Sequence, residues 1–348
     1  MEYYFLDRVP WQDSQAIYHA AADLQREALF ILRPAAPYVC LGFHQDAKME
    51  IDLDFTEREA IPVFRREVGG GAVYLDEGQL FYQLVLRRDN PQVPASKSEY
   101  FRKFLLPVVE TYRAFGVQAE YKPVNDILAH DRKISGNGAA EIGESVVLVG
   151  NFILDFNYDM MAKVLRVPDE KFRDKVNKTL RENLSTIRNE TGNVPNTADL
   201  AKDLVRRYES ILGSMTEHEQ IDRELKSRAA ERIALMDTQE WLFSNDRRHP
   251  DLWNLKIRDG VQVIQKVYKA PGGLIRISAV ARDGELRDVH ISGDFFFYPS
   301  ESLVEFERSL EGASTEPERL TQTIDDFFAR HEIEAPGITP ADFVRAFA

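Results

Sequence analysis

The chain has 348 residues, of which 44% are hydrophobic and 29% are charged, with a formal net charge of -13. A single hydrophobic core stops growing near about 250 to 300 residues, so this length predicts two domains. The acidic balance argues against nucleic acid as a partner, the lack of an apolar run of about 18 to 20 residues argues against a membrane span, and the lone cysteine, Cys40, favours the cytoplasm.

The first part of the chain alternates strand-like and helical patterns. Apolar runs predict strands at YYFLD, EALFILR and YVCLGF, placed around a helix at about residues 11 to 25. IPVFRREV leads into a glycine-rich turn, after which AVYLD and LFYQLVL predict two more strands joined through DEGQ. This succession indicates an α+β domain.

A long amphipathic segment, SEYFRKFLLPVVETYRAFG, predicts the next helix. Pro107 lies inside it and predicts a kink or a break, because proline removes a backbone donor, and Gly116 predicts the end of the helix. Four strand-like segments follow, joined by turns that carry Asn, Asp and Gly: VQAEYK, NDILAH, RKISGNGAAEI and SVVLVGNFILDF. Their closeness in sequence predicts an antiparallel meander.

The pattern changes again at Tyr158. From there to Leu242 it is mainly helical and strongly charged, as in TADLAKDLVRRYESIL, which predicts surface helices with one apolar stripe. NDRRHPD then concentrates turn-forming and charged residues. We therefore place a domain boundary near residues 243 to 251.

The C-terminal part has the pattern of a second, smaller α+β domain. VQVIQKVYKA, GLIRISAVAR and ELRDVHISG predict three strands, followed by helices near residues 300–310 and 316–331. The predicted organisation is a first domain at residues 1–245 and a second at residues 250–348.

The segment RREVGGGAVYLDEGQ places two arginines before three consecutive glycines. Without Cβ atoms, the backbone at Gly69, Gly70 and Gly71 can approach a ligand closely and aim N–H groups at an anion. Arg66 adds a permanently charged planar fork, so the combination suits a carboxylate or a phosphate. It is not a Walker phosphate loop, because the GK[ST] ending is absent and a strand follows. A flexible turn between two strands is the alternative interpretation.

The segment NDILAHDRKISGNGAAEIG carries a second candidate site. Asp126 begins one predicted strand and Lys133 lies on the next, across an AHD turn, so a hairpin would bring both side chains to one cleft. A lysine between two anionic oxygens offsets their repulsion, and a nearby aspartate can hold Mg²⁺ on a nucleotide. A solvated surface lysine and an Asx-turn aspartate are the alternatives.

Together the two segments resemble the signature of the lipoate-protein ligase family, which pairs RRxxGGGAVxxDxG with a later NDxxxxxxKxSGxA-like segment. The first match covers Arg65 through Gly78, and the second aligns Asn125, Asp126, Lys133, Ser135 and Gly136. The GLIRISAVARDGELRDVHISGDFFF segment is similar to the accessory domain of complete ligases, and its recognisable part is Gly293, Asp294 and Phe295.

The resemblance implies a catalytic domain related to biotin-protein ligases, with a mixed or antiparallel sheet flanked by helices, followed by the α+β accessory domain. It implies a reaction in which lipoate and ATP, with Mg²⁺, form lipoyl-AMP and pyrophosphate. The lipoyl group then passes to a lysine of an acceptor protein, such as a lipoyl domain or glycine-cleavage H protein. Because both parts are present, the resemblance favours a ligase that adenylates without a separate accessory protein.

The resemblance also implies site residues. Lys133 would contact the lipoyl carboxyl and the α-phosphate as the catalytic cation, and Asp126 would hold Mg²⁺. The residues that would bind substrate and nucleotide are Arg66, Gly69, Gly70, Gly71, Ala72, Val73, Gly78, Asn125, Asp126, Ser135 and Gly136. The sequence departs from the family at Leu75 and Val149, where histidines are often found, and so loses two polar rings there.

Two other functions use part of the same pattern. An octanoyl- or lipoyl-transferase of the same fold forms a thioester on cysteine, but Cys40, the lone thiol, lies on an early apolar strand, which is typical of a core residue. A non-catalytic lipoate-binding module would bind the acid without releasing pyrophosphate. Such a module has no need of both Asp126 and Lys133.

Overall fold

A computed structural model describes residues 1–246 and 261–348, which divide into two compact units. Unit 1 comprises Met1–Leu41, Glu50–Arg66 and Ala72–Leu242. Unit 2 comprises Gly42–Met49, Glu67–Gly71 and Phe243–Ala348. Unit 2 therefore joins the C-terminal part of the chain with two short loops from its first quarter. The predicted boundary near residues 243 to 251 lies partly outside the described residues and stays a prediction.

The strands of unit 1 form three sheets. Their bounds are β1 (Glu2–Val9), β2 (Ala28–Pro34), β3 (Tyr38–Leu41), β4 (Val63–Arg65), β5 (Val73–Leu75), β6 (Gln79–Arg87), β7 (Ala119–Lys122), β8 (Asp126–Ala129), β9 (Arg132–Ser135), β10 (Asn137–Ile142), β11 (Ser145–Ile153) and β12 (Thr216–His218). The largest sheet has the order β10-β11-β6-β2-β1-β12. Its first four strands run antiparallel, whereas β1 runs parallel to both of its neighbours. The prediction allowed a mixed or an antiparallel sheet, and the structure shows the mixed one.

The predicted four-segment meander is wrong in one respect. Strands β7, β8 and β9 form a separate antiparallel sheet, while β10 and β11 join the six-stranded sheet. The single predicted strand RKISGNGAAEI is interrupted at Gly136, whose N–H donates to the Asn151 side chain at 2.8 Å instead of to a neighbouring strand. A glycine inside a strand-like run often marks such a change.

Helices connect these strands along the chain. Their bounds are α1 (Asp13–Asp23), α2 (Ala47–Glu50), α3 (Leu53–Arg58), α4 (Lys97–Ala114), α5 (Tyr158–Val164), α6 (Glu170–Asn183), α7 (Ile187–Thr191), α8 (Thr197–Leu212), α9 (Arg223–Met236) and α10 (Gln239–Leu242). The segment TADLAKDLVRRYESIL forms α8, as predicted: Asn196 caps its first turn, and Leu200, Leu204 and Tyr208 form its buried stripe.

Pro107 does not break α4, so that part of its prediction is wrong. The helix continues through the proline, and Phe104, Val108 and Tyr112 on its inner face are buried. A proline inside a helix costs about 3 kcal/mol, whereas each large buried apolar side chain contributes about 1.5 to 3 kcal/mol. Tertiary packing therefore outweighs the local preference.

Unit 2 is built on an antiparallel sheet of β13 (Val261–Ala270), β14 (Gly273–Arg282) and β15 (Glu285–Gly293), covered by α11 (Ser302–Leu310), α12 (Pro317–Arg330) and α13 (Pro340–Phe347). The three strands have the predicted bounds, but α13 was not predicted. A capping box between Thr339 and Asp342 begins it, with Pro340 at its first position. Among the residues described in either unit, no helix is long and apolar enough to cross a bilayer.

Candidate active site

The hairpin of β8 and β9 brings the predicted Asp126 and Lys133 together. The Lys133 ammonium lies 2.7 Å from the Asp126 carboxylate. His130 and Asp131 form the turn, with positive φ angles of 49° and 60°, which is typical of a tight two-residue hairpin. The two charged side chains are 40% and 35% exposed, so their ion pair contributes at most about 1 kcal/mol. An incoming anion can therefore compete for the lysine.

One buried carboxylate holds the turn of this hairpin against α7. Glu190 has a side chain only 4% exposed, and its oxygens lie 2.8 Å from His130 Nδ1 and 2.7 Å from Arg132 Nη2. The Ser185 hydroxyl also donates to it. Burial raises the pKa of the Glu190 carboxyl, but these partners outweigh burial and hold that pKa below its ordinary value. The Ser185 N–H donates to the Lys133 carbonyl at 2.8 Å, so the strand that carries the lysine is fixed as well.

A buried polar network surrounds the other predicted residues of this segment. Ser135 is fully buried, and its hydroxyl donates to the Asn151 carbonyl at 2.6 Å. Asn125 and Asn137 form two reciprocal hydrogen bonds, each from the side-chain amide of one to the main-chain carbonyl of the other, at 2.6 and 2.8 Å. The contacts of Asn125 and Ser135 are therefore with protein groups, and these residues support the hairpin.

The triple glycine lies in unit 2, where it contacts the segment after β15. The Gly70 N–H donates to the Phe295 carbonyl at 3.3 Å, and a Cβ added at Gly69 would lie 2.7 Å from that same oxygen. A Cβ at Gly71 would lie 3.6 Å from Asp294, which is ordinary contact. We attributed the missing side chains to the approach of a ligand. At Gly69 the structure shows a second cause, close packing of the loop on its own unit.

Two family models match the chain. The lipoyl protein ligase A/B catalytic domain matches residues 8–209, and the bacterial lipoate protein ligase C-terminus matches residues 263–347. The chain belongs to the lipoate-protein ligase family. It is an enzyme with the α+β fold of ATP-dependent lipoate ligases, which confirms the family, the fold class and the activity predicted from the sequence.

Known ligases are similar to this one over most of its length. Lipoate-protein ligase LplJ of Bacillus subtilis (strain 168) is 27% identical over 310 residues, which are 88% of this chain and 87% of that relative. The solved bi-partite lipoate protein ligase of Thermoplasma acidophilum is 28% identical, with a TM-score of 0.62 over 71% of this chain and 97% of that one. A solved lipoate-protein ligase A bound with ATP is 27% identical, with a TM-score of 0.57 over 70% of this chain and 99% of that one.

The environment of Cys40 separates this ligase from a transferase that uses cysteine. Cys40 lies on β3, the central strand of the sheet β4-β3-β5, and is only 1% exposed. Burial raises the pKa of its thiol, although Arg66, which donates to the Cys40 carbonyl at 3.2 Å, lowers it in part. A buried thiol with a raised pKa is a poor nucleophile. Val73 on β5 pairs with Cys40 on β3, so Val73 and Arg66 both lie beside β3.

The first and last residues of the matched glycine motif, Arg65 and Gly78, both lie in unit 1, and of these only Gly78 was predicted to bind substrate or nucleotide. Arg65 is fully buried, and its Nε donates to the Leu242 carbonyl at 2.9 Å. Gly78 makes a tight turn, in which its N–H donates to the Asp76 carboxylate at 2.8 Å. Gly78 also lines an open cleft of about 650 Å³, and Lys133 is not among the residues that line it. Gly78 thus lies at a turn and beside a cleft of unit 1, and its predicted part in substrate binding stays a prediction.

Sequence reasoning missed several residues that contact the predicted site residues. Tyr82 reaches the Ser135 hydroxyl from β6, and Asn151 and Glu190 hold the hairpin from β11 and α7. Tyr82 gave no signal, because a tyrosine in an apolar strand reads as core. Asn137, which directly follows Ser135 and Gly136 in the second motif, was a usable signal for the polar network, since a buried amide needs hydrogen-bond partners.

Proposed function

We propose that the ligase activates lipoate with ATP and transfers the lipoyl group to one lysine of an acceptor protein domain. The observation that carries this proposal is the partly exposed Lys133, which lies beside Asp126 on an anchored hairpin within the region of the catalytic-domain match. Most exposed lysine side chains are mobile. Lys133 instead has a fixed main chain and one nearby carboxylate, which suits a cation that must meet two anions.

Two steps make up the reaction. A lipoate carboxylate oxygen attacks the α-phosphorus of ATP, and the bond from that phosphorus to the bridging oxygen of the β-phosphate breaks, which releases pyrophosphate. The acceptor amine then attacks the carbonyl carbon of lipoyl-AMP, AMP leaves, and the amine loses a proton to solvent. The first step brings two anions together, so a preorganised cation lowers its barrier.

In this proposal each residue has a distinct part. Lys133 contacts the lipoate carboxylate and the α-phosphate, and Asp126 holds the ammonium in place until they arrive. Arg66 supplies a second cation. The assignment of Gly69, Gly70, Gly71, Ala72, Val73 and Gly78 to substrate and nucleotide binding stays a prediction from the family resemblance.

Mg²⁺ is proposed to enter with ATP. Magnesium is commonly held by one or two carboxylates together with substrate phosphates. Asp126 offers one partly exposed carboxylate, and in the described part of the chain no group of three or more His, Cys, Asp or Glu could hold a metal ion. These residues fit a metal bound mainly by phosphate and water. They do not fit a metal cage made by the protein alone.

The acceptor is proposed to be a lipoyl domain or a protein similar to H protein. The Thermoplasma ligase was studied together with its E2 lipoyl domain, and this chain is similar to that ligase over most of the latter's length. The cytoplasm is the proposed compartment, because the lone cysteine forms no internal disulfide.

Replacement of Lys133 tests this function. Lys133→Ala is expected to lower lipoate-dependent pyrophosphate release by about 100- to 1000-fold, as is typical when one preorganised electrostatic donor is removed. Lys122→Ala is the matched control, because Lys122 is exposed and lies opposite Asp126 in the register of β7 and β8. A Lys133→Ala enzyme that adenylates lipoate at the rate of the control would refute the role proposed for Lys133, whereas an unmodified enzyme without lipoate-dependent pyrophosphate release would refute the function.

A further inference from the structure

Three residues form one row across the six-stranded sheet. Gly150 on β11 lies between Tyr82 on β6 and Asn137 on β10 in the strand register. The hydroxyl of Tyr82 donates to the side-chain oxygen of Asn137 across the glycine. A Cβ at position 150 would overlap both of these polar atoms. Gly150 therefore opens a path for a hydrogen bond that skips one strand.

From Asn137 the contacts lead to the proposed catalytic lysine. Asn137 and Asn125 exchange two hydrogen bonds of 2.6 and 2.8 Å. Asn125 directly precedes Asp126, whose carboxylate lies 2.7 Å from the Lys133 ammonium. The position of Asp126 is thus set through two amides by the hydroxyl of Tyr82.

A second arm reaches the other strand of the hairpin. The Ser135 hydroxyl lies 3.1 Å from the Tyr82 hydroxyl, and Ser135 follows Lys133 by two residues on β9. Tyr82 and Ser135 are both fully buried, so water does not compete for these contacts. One buried hydroxyl is therefore within hydrogen-bond distance of groups linked to both strands of the hairpin.

We propose that Tyr82 is a positioning residue for Lys133, and that its hydroxyl holds the Asp126–Lys133 hairpin in register with the six-stranded sheet. This inference rests on the proposed role of Lys133 in lipoate adenylation. Tyr82 contacts no substrate in this account. Its hydroxyl acts through Asn137 and Ser135, and both lose a hydrogen-bond partner when that hydroxyl is removed.

Loss of the hydroxyl should reduce the rate of adenylation more than it weakens substrate binding. A misplacement of about 1 Å in a catalytic group can cost up to 100-fold in rate. Because the hairpin keeps its Glu190 contacts, we expect Tyr82→Phe to lower kcat for adenylation by about 10-fold. The KM values for lipoate and ATP should change less than about twofold, since a group that acts mainly in the transition state affects kcat.

Tyr100→Phe is a matched control. Tyr100 is 1% exposed, and its hydroxyl has no hydrogen-bond partner among the residues that the structure describes. Removal of that hydroxyl also changes a buried tyrosine to phenylalanine, but it breaks no network. We expect the kcat of Tyr100→Phe to stay within about twofold of the unmodified enzyme. A Tyr82→Phe enzyme with the kcat of this control would overturn the inference.

A double-mutant cycle with Lys133→Ala separates positioning from general damage. If Tyr82 acts through Lys133, Tyr82→Phe has almost no further effect on adenylation in the Lys133→Ala background. Effects that multiply would overturn the inference while leaving the proposed function intact. A fully active Lys133→Ala enzyme would instead refute the proposed role of Lys133, and an unmodified enzyme that releases no pyrophosphate with lipoate and ATP would refute the proposed function. If Tyr82→Phe fails to fold, Ser135→Ala takes its place in the same cycle, with the same outcomes.

Discussion

Among single residues, burial distinguishes a side chain that can meet substrate from one that cannot. Lys133 has 40% of its side chain exposed, whereas Cys40 is only 1% exposed. Burial raises the pKa of the Cys40 thiol above its usual value of 9.0. The thiolate needed for thioester chemistry is therefore scarce at neutral pH.

We predict that Cys40→Ala keeps adenylation and lipoyl transfer within about twofold of the unmodified enzyme, because a buried neutral thiol only fills space. We also predict that iodoacetamide labels Cys40 slowly at pH 8 in the folded protein and rapidly after unfolding in urea. Since the pKa is raised, any labelling of the folded protein should increase as the pH rises above 9. Lost transfer in a well-folded Cys40→Ala enzyme would favour the cysteine-dependent transferase instead.

At the scale of elements, the β8–β9 hairpin depends on a helix that follows it by about fifty residues. Glu190 on α7 binds His130 and Arg132 at the turn, and Ser185 binds the main chain of Lys133. Such charge-assisted hydrogen bonds contribute about 1.5 to 3 kcal/mol each when buried. The hairpin is therefore fixed at its turn by α7 and at its open end by the amide network.

We predict that Glu190→Gln lowers the free energy of unfolding by about 2 kcal/mol at pH 7. The folded pKa of Glu190 is depressed, so its stabilisation is complete above the ordinary value of 4.5 and is lost as the pH falls through the folded pKa. The difference between the two proteins in urea unfolding should therefore shrink as the pH falls below 4.5. Glu182→Gln is the control, because Glu182 is exposed and pairs only loosely with Lys178, at 3.8 Å. An equal loss in both variants would contradict the prediction.

At the scale of the whole molecule, unit 2 is discontinuous in sequence. The loops Gly42–Met49 and Glu67–Gly71 belong to it, together with the C-terminal part. The His44 ring stacks on Phe295 with ring centroids 5.3 Å apart, and the Gly293 N–H donates to the His44 carbonyl at 3.0 Å. The glycine motif and the GDFFF segment are thus one packed region, although more than two hundred residues separate them in the chain.

We predict that Gly69→Ala and Gly71→Ala behave differently. A Cβ at Gly69 would lie 2.7 Å from the Phe295 carbonyl, so overpacking should lower the stability of unit 2 by about 1 to 3 kcal/mol. At Gly71 the same methyl meets only ordinary contact, so stability should change by less than about 0.5 kcal/mol. Thermal unfolding and lipoate adenylation are measured for both. If Gly71→Ala is active and Gly69→Ala is as stable as Gly71→Ala, close packing on Phe295 does not explain why residue 69 lacks a side chain.

Local chemistry made much of this protein predictable. The turn residues of AHD and the alternation around them predicted the hairpin that joins Asp126 to Lys133, and the apolar pattern predicted the bounds of β13, β14 and β15. Both depend on residues that are neighbours in sequence. The two motifs likewise identified the family, because each is a short continuous segment.

Only the tertiary structure decided how distant segments combine. It shows that α4 continues through Pro107, that β12 adds a parallel edge strand to β1, and that the triple glycine packs on Phe295. It also shows that Tyr82 reaches Asn137 across Gly150. Each of these features depends on contacts between residues far apart in sequence, whose energies exceed local preferences and leave no periodic trace in the amino-acid order.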